Sequence, residues 1–221
     1  MNQMWFRDRV EAGKKLATQL GEYKEKLTVI LAIPRGGVVV GYEVAKALNA
    51  PLDIIVPRKI GAPQNPELAI GAVTEDGTTI LNQSLVHEIG VNPKHIEQEK
   101  ENQIKEIRRR IATYRGVRPP VKLKGKTVIL VDDGIATGAT VRAAIHSIMN
   151  QGASEVVVAV PVAPPDAILA LKKEVNKVLC LITREPFYAI GQFYEDFTQV
   201  SDDEVVKLLK ESSAAYRQGA S

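Results

Sequence analysis

Five short runs of β-branched and aliphatic residues recur along the 221-residue chain, at 28–33, 52–56, 127–131, 156–160 and 178–182. Each is too short for a stable helix, and each is apolar at successive rather than alternate positions, the mark of a strand covered on both faces. Stretches with helical spacing lie between them, at 39–48, 141–149 and 165–171. Strands alternating with helices predict an α/β chain: an open parallel β-sheet flanked by helices and joined by right-handed crossovers.

Three segments stand outside that alternation. Residues 5–20 place Phe6, Val10, Leu16 and Leu20 on roughly one face and predict an N-terminal amphipathic helix. Residues 57–81 hold three glycines and three prolines, too much punctuation for one regular element, and predict a long loop of the kind that forms a lid. Asn92 as N-cap and Pro93 as first helical residue open a helix to Arg115, with Ile96, Ile104, Ile107, Ile111 and Tyr114 along one side.

Composition narrows the class further. A net charge of +3 is too small to imply a polyanionic partner, and 45% apolar residues are too many for a disordered chain. Cys180 is the single cysteine, which excludes internal disulfides and cysteine-rich zinc sites. His87, His95 and His146 have no metal-ligand spacing. The start carries Arg7, Asp8 and Arg9 without an apolar core segment, and no apolar stretch approaches the ~20 residues of a spanning helix. The expectation is a cytoplasmic protein without a membrane partner, one domain over 1–221 with its core at about 27–182.

The most informative segment is 128–140, Val-Ile-Leu-Val-Asp-Asp-Gly-Ile-Ala-Thr-Gly-Ala-Thr. A buried strand ends in Asp132 and Asp133, a Gly/Thr-rich turn follows, and a helix starts near Thr140. Gly134 and Gly138 allow a tight turn, while successive N–H groups and the helix start supply positive potential for a phosphate. No lysine follows the second glycine as in a Walker A loop, and no G-x-G-x-x-G is present. Carboxylates touching a bound phosphate would repel it, so they should face neutral hydroxyls or a cation. A sugar phosphate meets both demands. A Mg²⁺-dependent phosphatase built on Asp132 would need further carboxylates and a lysine at other strand ends, and none is suitably placed.

Four apolar residues, two acids and a G-x-x-T-G-x-T loop resemble the phosphoribosyl pyrophosphate (PRPP) signature of the type I phosphoribosyltransferases. The resemblance implies that Asp132 and Asp133 bind the ribose 2′ and 3′ hydroxyls. It implies that Ile135, Ala136, Thr137, Gly138, Ala139 and Thr140, with Gly134 before them, cradle the 5′-phosphate. Residues 34–37, Pro-Arg-Gly-Gly, follow the first strand and are similar to the family's short pyrophosphate loop, giving Arg35, Gly36 and Gly37 to the diphosphate. Arg58 and Lys59 follow the second strand and resemble the basic pair that opens the flexible catalytic loop, here 57–72. Asn65 and Glu67 inside that lid are weaker candidates. Ligands on open parallel sheets gather at the carboxyl ends of strands, so these segments are expected to converge.

Mg²⁺ is the implied cofactor, carried on PRPP oxygens and waters without a direct protein ligand. The implied reaction moves the 5-phosphoribosyl group from PRPP to a small nitrogenous base and releases pyrophosphate, with Arg35, Arg58 and Lys59 stabilising the departing charge.

Residues 187–197 hold five of the eleven aromatic residues and suggest a hood over about 183–200 that stacks a flat heterocycle. Phe187, Tyr188 and Tyr194 are its candidate faces, and Asp196 or Glu195 the reader of ring N–H groups. The alternative is an aromatic mini-core pinning the C-terminal helix. Ala136 stands where hypoxanthine-type enzymes carry an acid, so in that position the chain resembles adenine and orotate enzymes, and the acceptor base stays open.

A rival reading starts from the cations at Lys105, Arg108, Arg109, Arg110, Arg115, Arg118, Lys122, Lys124 and Lys126. It makes the chain a PRPP- or nucleotide-sensing module that binds RNA, with little transfer activity. Nucleic acid is the weaker expectation, because a sensor would not need both Arg35 and the Arg58–Lys59 pair. The 93–115 helix is expected to be peripheral or to hold a homodimer together.

Overall fold

The computed structural model describes residues 5–24, 26–116 and 118–219, the side chains of 217–219 apart. The elements in chain order are α1 (Arg9–Thr18), β1 (Thr28–Ala32), α2 (Gly36–Leu48), β2 (Leu52–Ile54), β3 (Arg58–Ala62), β4 (Asn65–Val73) and β5 (Thr79–Leu81). They continue with α3 (Gln83–Glu88), α4 (Pro93–Arg115), β6 (Thr127–Val131), α5 (Ala139–Asn150), β7 (Glu155–Ala163), α6 (Pro165–Leu171), β8 (Lys177–Thr183) and α7 (Asp202–Gly219). Short 3-10 turns occupy Gly21–Tyr23 and Ile190–Phe193.

Five strands form one parallel sheet in the order β2-β1-β6-β7-β8. Alternate residues of the central strands enter different cores. Ile30, Ala32, Ile129, Val131, Val157 and Ala159 pack toward one side, with residues of α1, α2, α4 and α7. Val29, Leu31, Val128, Leu130, Val156 and Val158 pack toward the other, with α5 and α6. Both faces are therefore dry, which is why these strands read as continuous rather than alternating apolar runs. The β7 strand runs through Pro161, which lies beyond Ala159, the last residue paired with β6.

From β1 the chain crosses to β2 on one side, whereas from β6 it crosses to β7 on the other. The β1/β6 boundary is thus the switch point, where successive crossovers leave a crevice at the carboxyl ends of the strands.

Three expectations change in form. The N-terminal helix starts at Arg9 instead of residue 5, because the Asp8 carboxylate accepts from Glu11 N (2.7 Å) and caps it there. Phe6 instead bridges to Tyr194 as extended chain. Residues 57–81 form a second, antiparallel sheet, β3-β4-β5, in which the turn at 63–64 is the hairpin tip. Residues 63–68 are exposed, so the expected loop is a projecting hairpin. Gly61 marks its register shift, and a Cβ on Gly61 would meet Pro66 O at 2.6 Å.

The α4 helix has the predicted limits, with Asn92 accepting from Lys94 N. Its apolar side, Ile96, Ile107, Ile111 and Tyr114, is buried in this chain's own core, so that side is not available to a second copy. Arg115 at its end pairs with Asp53 (3.0 Å), the side chains only 11% and 6% exposed, and donates to Ile54 O. Arg115→Ala would strand the buried carboxylate, a change that costs about 3–5 kcal/mol. Thermal unfolding should show a clear drop in midpoint, with most of it recovered in the Asp53→Asn/Arg115→Met double variant.

Candidate active site

The loops after β1 and β6 meet at the switch point, and glycine is what lets them meet. A Cβ on Gly36 would lie 1.9 Å from Oδ2 of Asp133, and one on Gly37 would lie 2.9 Å from Cα and 3.0 Å from Oδ1 of Asp132. The Pro34–Arg35 peptide between the strand and these glycines is cis. Residues 34–37 and the acid pair therefore form one continuous wall, as the sequence suggested.

The two acids sit in unlike surroundings. Oδ1 of Asp132 accepts from the N–H of Asp133 (2.8 Å). Burial, and then the charge of Asp133 beside it, push the Asp132 carboxyl well above the ordinary carboxylate range. Asp133 gives one oxygen to the Arg9 guanidinium (Nε–Oδ2 2.7 Å), and its carbonyl accepts from the Tyr194 hydroxyl (2.6 Å). Burial pushes that phenol up as well.

The turn after the acids divides by role. The N–H of Ile135 donates to Val162 O (2.9 Å) and its side chain is buried in the core, so Ile135 anchors the loop and does not offer its amide to a ligand. A Cβ on Gly134 would reach 2.6 Å from Ile190 and 2.7 Å from Val162, which fixes a glycine there too. Gly138 is the left-handed N-cap of α5 (φ 77°), without a side-chain cap. Ala136 and Thr137 are exposed, and Ala139 and Thr140 half-buried. Among the described residues no acceptor holds the N–H groups of Ala136 to Thr140, which open α5. A helix start with uncommitted amides carries partial positive charge and suits an anion.

Of the predicted cations, Arg35 follows β1 beside this crevice, whereas Arg58 and Lys59 belong to β3; Arg35 and Arg58 are engaged by other partners. Arg35 pairs with Asp202 at the start of α7 (3.5 Å), whose carboxylate also accepts from Tyr114 of α4 (2.8 Å). The Tyr114 hydrogen bond, then Arg35, lower the Asp202 carboxyl. Arg58 donates to Gln103 of α4, and burial with nearby Arg110 lowers its guanidinium. Lys59, the next residue along β3, is exposed. The second pair of lid candidates is local: Asn65 accepts from the Glu67 N–H (3.2 Å).

The hood is mostly a mini-core. Phe193 and Tyr194 are buried with Phe6, Ala12 and Val162, and the Tyr194 ring lies between Phe6 (5.5 Å) and Phe197 (5.0 Å). With both neighbours and its hydroxyl committed, Tyr194 supports Asp133 and is not a face for stacking a base. Asp196 accepts from Thr198 N and holds a turn. Phe187 is half-buried against Phe193, and Tyr188 is 85% exposed, so these two retain ring surface.

Arg9 is the site residue that sequence reasoning does not reach. Nothing in the local pattern ties it to a residue 124 positions away, and its neighbours mark only a helix start. Part of the basic cluster is engaged within the chain: Arg109 and Arg110 pair with Glu106, Arg115 with Asp53, and Arg118 donates to Leu209 O and Ser213. No group of three or more metal-ligating side chains occurs among the described residues. No described helix is long and apolar enough to cross a membrane.

The phosphoribosyl transferase domain family matches residues 7–198, and the chain belongs to it. It is similar to a crystal structure, TT1426 from Thermus thermophilus, at 43% identity and a TM-score of 0.81, covering 94% of this chain and 99% of that one. It is 45% identical over 204 residues to "Putative phosphoribosyl transferase Rv0571c" of Mycobacterium tuberculosis, covering 92% of this chain and 46% of that protein. The chain thus spans about half the length of the curated relatives it matches. The AQ2163 protein of Aquifex aeolicus shares the fold, with a TM-score of 0.51 at 15% identity, over 83% of this chain and 78% of that one.

Proposed function

We propose that this chain is a Mg²⁺- and PRPP-dependent phosphoribosyltransferase that moves the 5-phosphoribosyl group to a nitrogenous base and releases pyrophosphate. The observation that carries the reading is the abutment of Gly36 and Gly37 on Asp132 and Asp133. The loop after β1, two carboxylates and a helix start with uncommitted amides stand side by side, which supports a reading in which diphosphate, ribose hydroxyls and 5′-phosphate are bound in that order.

In this reading the amides of Ala136 to Thr140 hold the 5′-phosphate. Asp132 and Asp133 hold the ribose hydroxyls, and Arg35 with Arg58 and Lys59 serves the diphosphate. Arg35 and Arg58 come to it from a single carboxylate and a neutral amide, partners that a multiply charged diphosphate outcompetes. Charge grows on the leaving group as the glycosidic bond loosens, so fixed cations there act on the transition state. The donor set is poor for an all-protein metal cage and fits an ion bound through the diphosphate. Mg²⁺, when bound, supplies charge neutralisation to that leaving group. In this reading the projecting β3–β4 hairpin serves as the lid that excludes water. Phe187 and Tyr188 are the aromatic faces left for the base. Arg109, Arg110 and Arg115 of the basic cluster are engaged in intramolecular ion pairs, which weakens the support for the RNA-binding alternative.

The test is a screen of purine and pyrimidine bases for pyrophosphate release from Mg²⁺-PRPP. One base should support release that depends on both PRPP and Mg²⁺. A protein that neither binds PRPP in calorimetry nor releases pyrophosphate with any base would refute the reading.

A further inference from the structure

Arg9 sits at a three-way junction. Its Nε donates to Asp133 Oδ2 (2.7 Å), its Nη1 donates to Thr198 O (2.8 Å), and its guanidinium carbon lies 3.8 Å from the centre of the Phe197 ring. It also abuts the loop after β1, since a Cβ on Gly36 would come within 2.7 Å of Nε. The segment that delivers it is strapped to the hood: Phe6 N donates to Phe193 O, Glu195 N to Phe6 O and Asp196 N to Arg7 O, each at 2.8 Å.

The Arg9–Asp133 pair is nearly closed to water, with side chains 11% and 12% exposed. Such pairs are poor sources of stability, because desolvating both charges offsets most of their attraction. An apolar side chain at position 9 would suit the aromatic cluster at least as well. What an apolar residue could not do is fix the direction of the Asp133 carboxylate. A lysine would also fall short, because only the planar fork reaches the carboxylate and the Thr198 carbonyl at once while stacking on Phe197.

We propose that Arg9 is a positioning residue for the sugar site: it orients Asp133 toward the ribose hydroxyls and, through Phe197 and Thr198, ties that orientation to the hood on the acceptor side. This rests on the phosphoribosyl reading above, and the experiment separates the two. Calorimetry in Mg²⁺ buffer would measure PRPP, ribose 5-phosphate and inorganic pyrophosphate binding to the wild type, Arg9→Met and Arg9→Lys. Arg9→Met should weaken both sugar ligands about tenfold to a hundredfold, the range for one charge-assisted hydrogen bond, and leave pyrophosphate unchanged. Arg9→Lys should recover part of the loss. Unchanged sugar affinity in Arg9→Met would overturn the proposal, as would an equal loss for all three ligands, which marks a general structural role. A wild type that binds none of the three would instead sink the phosphoribosyl reading. If Arg9→Met does not fold, Phe197→Leu decides the matter: it should show the same selective pattern at smaller size, and wild-type affinities there would overturn the proposal.

Discussion

Asp132→Asn should lose PRPP affinity about tenfold to a hundredfold, the scale for removing charge from a buried hydrogen bond, and should at the same time melt at a higher temperature than the wild type near pH 8. The second half follows from the surroundings of the carboxyl. Burial and Asp133 raise its proton affinity in the folded chain above the ordinary value of 3.8. Between that value and the higher folded one, the native state holds a proton that the unfolded chain has released. Stability therefore falls as pH rises through this window, and the loss is complete above it. Asparagine never ionises and escapes the loss. Melting curves at pH 4 and pH 8 should show the gap between variant and wild type widening with pH. A variant that melts lower at pH 8 and binds PRPP normally would remove Asp132 from the sugar site.

Gly36→Ala should abolish ligand binding at the loops after β1 and β6. The added carbon would lie 1.9 Å from Oδ2 and 2.6 Å from Cγ of Asp133, and 2.7 Å from Arg9 Nε. Those atoms have little room to retreat, because the carboxylate is held by Arg9 and its backbone by Tyr194. Overpacking of this kind costs about 1–3 kcal/mol, and here it also displaces a proposed ligand group. Relief by moving Asp133 should abolish measurable PRPP binding, and relief by moving the loop after β1 should abolish pyrophosphate binding. Gly21→Ala is the matched control, since its Cβ would meet nothing within 4 Å. Equal ligand affinities in the two variants would show that the loops are not held against each other in solution.

What the sequence makes legible is local. Asn92 and Pro93 announce the start of α4 because capping is settled within a few residues. The acid pair and the turn to Thr140 are legible because a strand end, a glycine-containing turn and a helix start follow one another within a few residues. The antiparallel sheet of β3 to β5 is hidden by its own glycines and prolines, which read as loop until their cross-strand partners are known. The aromatic residues near the C-terminus give a correct density and a wrong destination for Tyr194, since only tertiary contact reveals that Phe6 completes their cluster. Likewise Arg35 and Arg58 are legible as cations that follow β1 and β2, while Asp202 and Gln103, which hold them, come from helices that no spacing rule connects to them.

The strap that joins Phe6 and Arg7 to Phe193, Glu195 and Asp196 gives the site a history as well as a shape. During synthesis the acids, the amide turn and the loop after β1 all leave the ribosome well before residue 194. Until that residue follows, the Asp133 carbonyl has no Tyr194 hydroxyl and Arg9 has no ring to rest on. A nascent chain arrested short of the aromatic segment would lack both supports, so on the proposed reading the competence to bind a sugar phosphate arrives late in translation.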